Sequence, residues 1–284
     1  MSNPENNPGT APHTIGVFDS GFGGLTVLRA LMAQMPGARF VFFGDTARLP
    51  YGSKSRRTIA RYAAQCAQFL VSQQSAEFLV IACNTASALA LDAIKDAVQV
   101  PVLGVIEPGA EAARAASRTG DVLVIATDAT VQSHAYAAAC RARGLRALEK
   151  ACPLLVPLVE EGWTDHQVTA EVIRIYLAEL TAEAAAQGMN PDVLLLGCTH
   201  YPLLRPLLER AIPTGMKVID SADATAKAAV QLFGMENRSP SAQDPSAQNQ
   251  VRCFATDSVD KFERLGSRFL NRPTGKVELV DLGG

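Results

Sequence analysis

The sequence predicts an α/β protein of two pseudo-symmetric three-layer α/β/α lobes, each with a mainly parallel sheet, and a candidate active site in the cleft between them. Two short apolar runs, 78–82 and 193–196, are typical of strands buried on both faces of a parallel sheet. Each run is followed by a segment that is expected to be helical. The order of strand, helix, strand and cysteine-bearing strand occurs twice, which predicts two related lobes.

The first lobe follows a tail, residues 1–13, that is rich in Asn, Pro and Gly and is expected to be disordered. Apolar runs predict strands at 14–18, 39–45, 78–83 and 100–106. The segments between them are expected to be helical, beginning at 25 and covering 56–74 and 86–97. Glu107-Pro108-Gly109 is interpreted as a hinge or crossover, so this part of the first lobe is assigned residues 14–108.

The second lobe, which carries Cys198, is assigned residues 109–218. Its predicted strands include 121–127 and 193–197, and its predicted helices are 131–143 and 165–187. A strand at 217–221 is expected to cross back to the first lobe. Residues 237–250 are rich in Ser, Pro, Gln and Asn, which predicts a mobile loop. The strands 251–256 and 276–280 and the helix 258–270 complete the first lobe, which therefore also contains 219–284.

Composition indicates a globular protein that acts on a small molecule. Of 284 residues, 48% are hydrophobic and 19% are charged, which is normal for a chain that forms a packed core. A net charge of −2 gives no electrostatic reason to bind nucleic acid or an anionic membrane. No apolar run reaches the roughly 18 residues of a membrane span, and no leader-like segment is visible, so a cytoplasmic location is expected.

The six cysteines are expected to be free thiols. They show no C-x-x-C spacing, so neither a zinc site nor a thioredoxin-type motif is indicated, and no metal is expected. A reducing compartment disfavours disulfides. Cys66 and Cys140 lie within predicted helices and are interpreted as packing residues.

The first strand runs into a glycine-rich turn, Asp19-Ser20-Gly21-Phe22-Gly23-Gly24. Glycines allow the backbone to approach a ligand closely, and a helix N-terminus favours an anion. The spacing is not G-x-G-x-x-G, which disfavours dinucleotide binding. Asp19 either caps the turn or orients the ammonium group of a substrate.

Two cysteines stand at the carboxyl ends of predicted parallel strands, where α/β proteins bind ligands. Cys83 is followed by Asn84-Thr85, and Cys198 is followed by Thr199-His200. A single strand-end cysteine is more often a packing residue, but a pair with polar neighbours suggests two related half-sites. If the lobes face each other, one thiolate and one thiol flank a ligand and move a proton from one face of a carbon to the other. Such a reaction needs no cofactor.

His200 also has two interpretations. It is either a satisfied histidine at the interface or a group that poises the neighbouring thiol and steadies the charge of an intermediate. Pro50-Tyr51-Gly52 follows the second predicted strand, where it either lines a pocket or forms a surface turn with a packed tyrosine.

Four motifs together resemble the signatures of bacterial glutamate racemases, within the aspartate/glutamate racemase family, over roughly residues 14 to 233. They are Asp19-Ser20-Gly21-x-Gly23-Gly24, Pro50-Tyr51-Gly52, Ala82-Cys83-Asn84-Thr85 and Gly197-Cys198-Thr199-His200-Tyr201-Pro202. The resemblance implies a homodimer that interconverts L- and D-glutamate without a cofactor and supplies the D-isomer for peptidoglycan.

The resemblance also implies roles for single residues. Cys83 would act on D-glutamate with the help of Asp19, and Cys198 would act on L-glutamate with the help of His200. A family glutamate that follows Pro-Leu-Val aligns with Glu160, beside Glu161. The implied substrate contacts are Asp19, Ser20, Pro50, Tyr51, Gly52, Asn84, Thr85, Thr127, Thr130, Thr199 and His200.

Three other functions remain open at this point. The first is a racemase of aspartate or another amino acid on the same scaffold. The second is a two-lobed amino-acid-binding protein with inert thiols. The third is a Cys-His hydrolase in which only Cys198 acts as a nucleophile.

Overall fold

A computed structural model describes residues 13–234 and 250–283. Apart from His13, the predicted tail at 1–13 lies outside the described residues. The same is true of the predicted loop at 237–250, apart from Gln250, which belongs to a strand rather than to a loop.

The described residues form ten strands and twelve α-helices, which alternate along most of the chain. The strands are β1 (Thr14–Asp19), β2 (Arg39–Gly44), β3 (Phe78–Ile81), β4 (Val102–Gly104), β5 (Asp121–Ala126), β6 (Arg146–Ala151), β7 (Val193–Gly197), β8 (Lys217–Asp220), β9 (Gln250–Ala255) and β10 (Val277–Leu279). The helices are α1 (Leu25–Gln34), α2 (Arg56–Ser72), α3 (Asn84–Leu89), α4 (Leu91–Ala97), α5 (Ile106–Ala116), α6 (Asp128–Ser133), α7 (Ala135–Arg141), α8 (Leu155–Glu160), α9 (Gln167–Ala186), α10 (Arg205–Ala211), α11 (Ala222–Leu232) and α12 (Val259–Leu270).

The strands form two parallel sheets, one in each lobe. The first has the order β10-β9-β2-β1-β3-β4, and the second has the order β6-β5-β7-β8. The segment β2-β1-β3-β4 and the whole second sheet share one topology, because each places its third strand beside its first. This repeat confirms the prediction of two pseudo-symmetric α/β lobes and makes β3 and β7, the strands before the two cysteines, equivalent.

Helices cover both faces of each sheet, because alternate side chains of the central strands point in opposite directions. In β1, Val17 packs in the same core cluster as α1, whereas Phe18 packs in a different cluster with α2. In β5, Leu123 packs in the same cluster as α9, whereas Val124 packs with α5 and α7. The three layers of each lobe follow from this alternation.

Two segments between the lobes differ from the sequence prediction. Lys217–Asp220 pairs with β7, so β8 extends the second sheet and does not cross back to the first lobe. The predicted hinge, Glu107-Pro108-Gly109, lies in the first turn of α5, where proline is tolerated because its N–H would have no partner within the helix. Since α11 packs on α1, we propose that the second lobe spans 106–220 and that the chain returns to the first lobe after Asp220.

The longest helix among the described residues is α9, with 20 residues. It buries a stripe that includes Ile173, Leu177 and Leu180 and exposes charged residues elsewhere. None of the helices in the described part of the chain combines the length and the hydropathy that a membrane span requires.

Candidate active site

A cavity of about 480 Å³ opens between the carboxyl ends of the two sheets. Residues from both lobes line it, as expected for ligand sites of parallel α/β sheets. The predicted site residues in its wall are Ser20, Pro50, Tyr51, Gly52, Cys83, Asn84, Thr85, Thr127, Glu160, Cys198, Thr199 and His200. Asp19 and Thr130 are buried directly behind this wall.

The first half-site is built around Cys83. This residue caps the N-terminus of α3, and its Sγ accepts a hydrogen bond from the Ala86 N–H at 3.4 Å and donates one to Ser20 Oγ at 3.5 Å. Asp19 ends β1, which lies beside β3 in the sheet, so its carboxylate is held near the thiol. Burial, together with the charge of Asp19, raises the pKa of the Cys83 thiol to about 12. Cys83 is therefore protonated at neutral pH in this structure.

Asp19 is buried, and only one of its two carboxylate oxygens accepts a hydrogen bond from the described residues. Its Oδ2 accepts a hydrogen bond from the Gly21 N–H at 3.0 Å, whereas its Oδ1 has no hydrogen-bond partner among the described residues. Burial raises the pKa of the Asp19 carboxyl, although the charge of His200 lowers it in part. A buried carboxylate with a free oxygen is suited to a cationic or hydrogen-bonding partner.

In the second half-site, the helix that is expected after the apolar run does not begin directly at Cys198. Cys198, Thr199 and His200 form a turn, and a short 3₁₀ helix follows before α10 begins. Pro206 has no N–H to bond the carbonyl four residues earlier, which prevents an α-helix from starting sooner. The hydroxyl of Tyr201 holds the turn by donating to the Cys152 carbonyl at 2.9 Å.

A chain of charged groups begins beside Cys198. His200 Nε2 lies 3.4 Å from Glu160 Oε1, and Lys261 Nζ donates to Glu160 Oε2 at 3.0 Å. Burial alone would lower the pKa of His200, but its interactions with Cys198 and Glu160 raise it to about 10. Burial opposes ionisation of Glu160 too, yet His200 and Lys261 hold its pKa below the usual value. His200 is thus an imidazolium and Glu160 a carboxylate at neutral pH.

The same contacts distinguish the two adjacent acids of the sequence. Both Glu160 and Glu161 line the cavity, but it is Glu160 that pairs with His200. The Glu161 side chain is exposed to solvent. The geometry therefore favours Glu160, the residue that the family resemblance indicated.

A group of threonine hydroxyls joins the two lobes in the cavity wall. Thr85 Oγ1, from α3, lies 3.0 Å from Thr127 Oγ1 and 3.2 Å from Thr130 Oγ1. Thr127 and Thr130 are 2.9 Å apart. Thr130 is completely buried and contacts the other two hydroxyls, whereas Thr85 and Thr127 line the cavity. Hydroxyl groups held in this way can donate to a carboxylate ligand.

The glycine turn allows one lobe to approach the other closely. A Cβ on Gly23 would lie 2.4 Å from Thr199 Oγ1 and 2.6 Å from His200 Nδ1, so no other residue fits without moving the second half-site. Gly24 similarly approaches Asp19 and Ala82. Gly23 thus serves the contact between the half-sites, whereas Gly24 serves close packing within the first one.

Sequence reasoning missed Asp45, which anchors the Pro50-Tyr51-Gly52 loop. Asp45 is fully buried at the end of β2, and its Oδ2 accepts a hydrogen bond from the Tyr51 hydroxyl at 2.5 Å. Its Oδ1 accepts from Arg48 Nε at 2.9 Å and from Thr256 Oγ1 at 3.0 Å. The available signal was position, because Asp45 directly follows β2 and Asp19 is the last residue of β1.

We expect Tyr51→Phe to destabilise the protein by about 1–3 kcal/mol, because it leaves the buried Asp45 Oδ2 without its donor. Chemical denaturation of the variant and the unmodified protein measures this difference. Tyr62→Phe is the matched control, since Tyr62 meets Arg48 through its ring at 4.3 Å, and it should change the free energy of unfolding by less than about 0.5 kcal/mol. Equal effects of the two substitutions would contradict the anchoring role of Asp45.

Sequence reasoning also missed Lys261 and Ser258, which reach the cavity from the C-terminal segment. This segment lies beyond the part of the chain that carries the family motifs. The helix α12 buries Phe262, Leu265 and Phe269 at helical spacing, which predicts its packed face but not what Lys261 contacts.

The described residues contain no group of three or more His, Cys, Asp or Glu side chains arranged to hold a metal ion. All six cysteines are free and buried. Cys66 and Cys140 lie in hydrophobic cores, which agrees with their interpretation as packing residues.

Comparison with known proteins points to one family. The model of the family described as Asp/Glu/Hydantoin racemase matches residues 25–229. A glutamate racemase of Koribacter versatilis is 53% identical over 95% of this chain and 98% of its own length.

Solved structures lead to the same family. A glutamate racemase isoform of Bacillus anthracis superposes with a TM-score of 0.86 and is 34% identical. The match covers 96% of this chain and 99% of the Bacillus protein. The glutamate racemase of Francisella tularensis, solved in complex with D-glutamate, has a TM-score of 0.82 with the same identity and the same two coverages.

Proposed function

Because the chain belongs to the Asp/Glu/Hydantoin racemase family, we propose that it interconverts L- and D-glutamate by a two-base reaction of Cys83 and Cys198 that needs no cofactor. The observation that supports this mechanism most is that both thiols, each at the end of an equivalent strand, line the same cavity from opposite lobes. A hydrolase or a binding protein requires no such pairing.

The charges of the two half-sites match the needs of the reaction in the direction from L- to D-glutamate. A thiolate at Cys198, stabilised by the His200 imidazolium, removes the α-proton from one face of the substrate. Cys83, whose pKa of about 12 keeps it protonated, then delivers its own proton to the opposite face. One S–H and one C–H bond form, and one of each breaks, so the product leaves an enzyme in which the thiol and the thiolate have exchanged places.

The reverse reaction starts from this second form, with a thiolate at Cys83. The Ala86 N–H then donates to the thiolate, and the Ser20 hydroxyl, which accepts from the thiol in this structure, rotates to donate to it. The Asp19 carboxylate pairs with the substrate ammonium group nearby.

Glutamate carries two carboxylates, and the cavity provides donors for both. In this proposal the α-carboxylate binds hydroxyl and amide groups between the two cysteines, and the side-chain carboxylate binds the threonine hydroxyls and the Pro50-Tyr51-Gly52 loop. The donors that the family resemblance implies and that lie in the cavity wall are Ser20, Gly52, Asn84, Thr85, Thr127 and Thr199. The product would supply D-glutamate for peptidoglycan, and the enzyme would act in the cytoplasm as a homodimer, as the family resemblance implies.

Incubation of either enantiomer of glutamate in D₂O tests the proposal. Without added cofactor, we expect the solution to lose its optical activity and the product to carry one deuterium at the α-carbon. Polarimetry measures the first change and mass spectrometry the second. Exchange with aspartate but not with glutamate would assign the protein to the first alternative. Absence of exchange with every amino acid would refute racemisation and favour a binding protein.

A further inference from the structure

The charged chain beside Cys198 crosses from one lobe to the other. Glu160 ends α8 and His200 follows β7, both in the second lobe, whereas Lys261 belongs to α12 in the first lobe. The Lys261 Nζ to Glu160 Oε2 distance is 3.0 Å, and the Glu160 Oε1 to His200 Nε2 distance is 3.4 Å. Glu160 therefore uses one oxygen for each cation.

The helix α12 also holds the His200 ring. The ring of Phe269 meets His200 edge-on with 5.1 Å between centroids, and Phe22 packs on His200 at 6.0 Å. Lys261 Nζ lies 5.8 Å from the centroid of the same Phe22 ring. Phe269 of α12 and Phe22 of the glycine turn therefore both pack on His200, and Lys261 of α12 contacts Glu160 and the Phe22 ring beside it.

The Cys83 half-site has no corresponding cation among the described contacts. Asp19 is the acidic residue of this half-site, as Glu160 is of the other. Asp19 accepts its hydrogen bond from the Gly21 backbone N–H and not from a charged side chain. The pseudo-symmetry of the fold is consequently broken in the polar groups that serve the two thiols.

We propose that Lys261 is a positioning residue for the half of the reaction that Cys198 performs: it fixes the Glu160 carboxylate so that His200 stays aligned on that thiol. This inference rests on the proposed racemase function. Lys261 acts through Glu160 and His200 in this proposal, since its ion pair is with Glu160 and that of Glu160 is with His200.

The expected effect is modest, since the Lys261 side chain is 45% exposed and ion pairs of this kind are partly screened by water. We expect Lys261→Met to lower kcat about 3- to 10-fold, below the roughly 10- to 100-fold losses that are typical of groups orienting metal ligands. Lys261→Arg retains a donor to Glu160 and should restore most of this loss. Arg264→Met removes an exposed cation from the same helix and should leave kcat unchanged.

A double-mutant cycle separates positioning from a general structural role. If Lys261 acts through Glu160, Lys261→Met should have little further effect in a Glu160→Gln background, so the two losses in kcat should not multiply. Independent, multiplicative losses would overturn the proposal. Thermal unfolding of each variant shows whether the fold is intact.

Isotope effects then identify the half-reaction. With C2-deuterated L-glutamate, slower proton removal at Cys198 should increase the isotope effect on kcat/KM, whereas with C2-deuterated D-glutamate the isotope effect should decrease. A loosened cleft would move both values in the same direction, and that result would overturn the role assigned to Lys261. Failure of the unmodified protein to racemise glutamate would instead refute the proposed function on which the inference rests.

Discussion

Replacing Cys83 or Cys198 with serine should lower the racemisation of glutamate by roughly 10³-fold or more, because each thiol is the acid or base on one face of the substrate. A serine hydroxyl is a much weaker acid than a thiol, so it neither forms the anion that removes the α-proton nor donates readily to the carbanion. Circular dichroism measures the change in optical activity from each enantiomer.

The two serine variants also discriminate between mechanisms. A two-base racemase loses activity with either substitution, whereas a hydrolase with Cys198 as its nucleophile tolerates Cys83→Ser. Cys140→Ala is the matched control, since this thiol is buried in the core of the second lobe, away from the cavity. Near-normal racemisation by Cys83→Ser would contradict the two-base mechanism.

Replacing His200 with asparagine should lower kcat by about 10²-fold, in the range of losses for a group that assists proton transfer. The imidazolium is the positive charge closest to Cys198 in the charged chain, and its pKa of about 10 keeps it protonated at neutral pH. Without it, a thiolate at Cys198 would face the Glu160 carboxylate with no cation between them. Steady-state kinetics with L-glutamate measure the loss.

His134→Asn provides the control for this substitution. His134 is exposed and adopts a left-handed conformation, with φ of 54°, which asparagine tolerates. It should leave kcat unchanged. Since His200 packs on Phe22 and Phe269, thermal unfolding must show that His200→Asn is folded. A kcat within about threefold of the unmodified protein would refute the role of His200.

The part of the fold that depends on local sequence could be predicted. The apolar runs before Cys83 and Cys198 form β3 and β7, and both strands are central and paired on each side, as their uninterrupted hydrophobicity indicated. The recurrence of the same element order predicted the repeat of sheet topology. These features could be predicted because the burial of a strand and the order of the elements depend on residues that are consecutive in the sequence.

Two segments were assigned wrongly because their residue types occur in more than one kind of structure. Pro108 suggested a hinge but lies in the first turn of α5, where its missing N–H carries little cost. Lys217–Asp220 suggested a return to the first lobe, yet this segment pairs with β7 and completes the second sheet. Local residue types did not distinguish these alternatives, because the deciding contacts come from strands and helices remote in the sequence.

By itself, then, the sequence determined the two cysteine-bearing strands, their polar neighbours and their place at the carboxyl ends of parallel sheets. Only the tertiary structure decided that both thiols share one cavity, that Glu160 rather than Glu161 meets His200, and that Asp45 and Lys261 support the site. The physical reason is that hydrophobic periodicity specifies each element and its buried face, whereas a contact between charged groups of different lobes depends on how those lobes pack together.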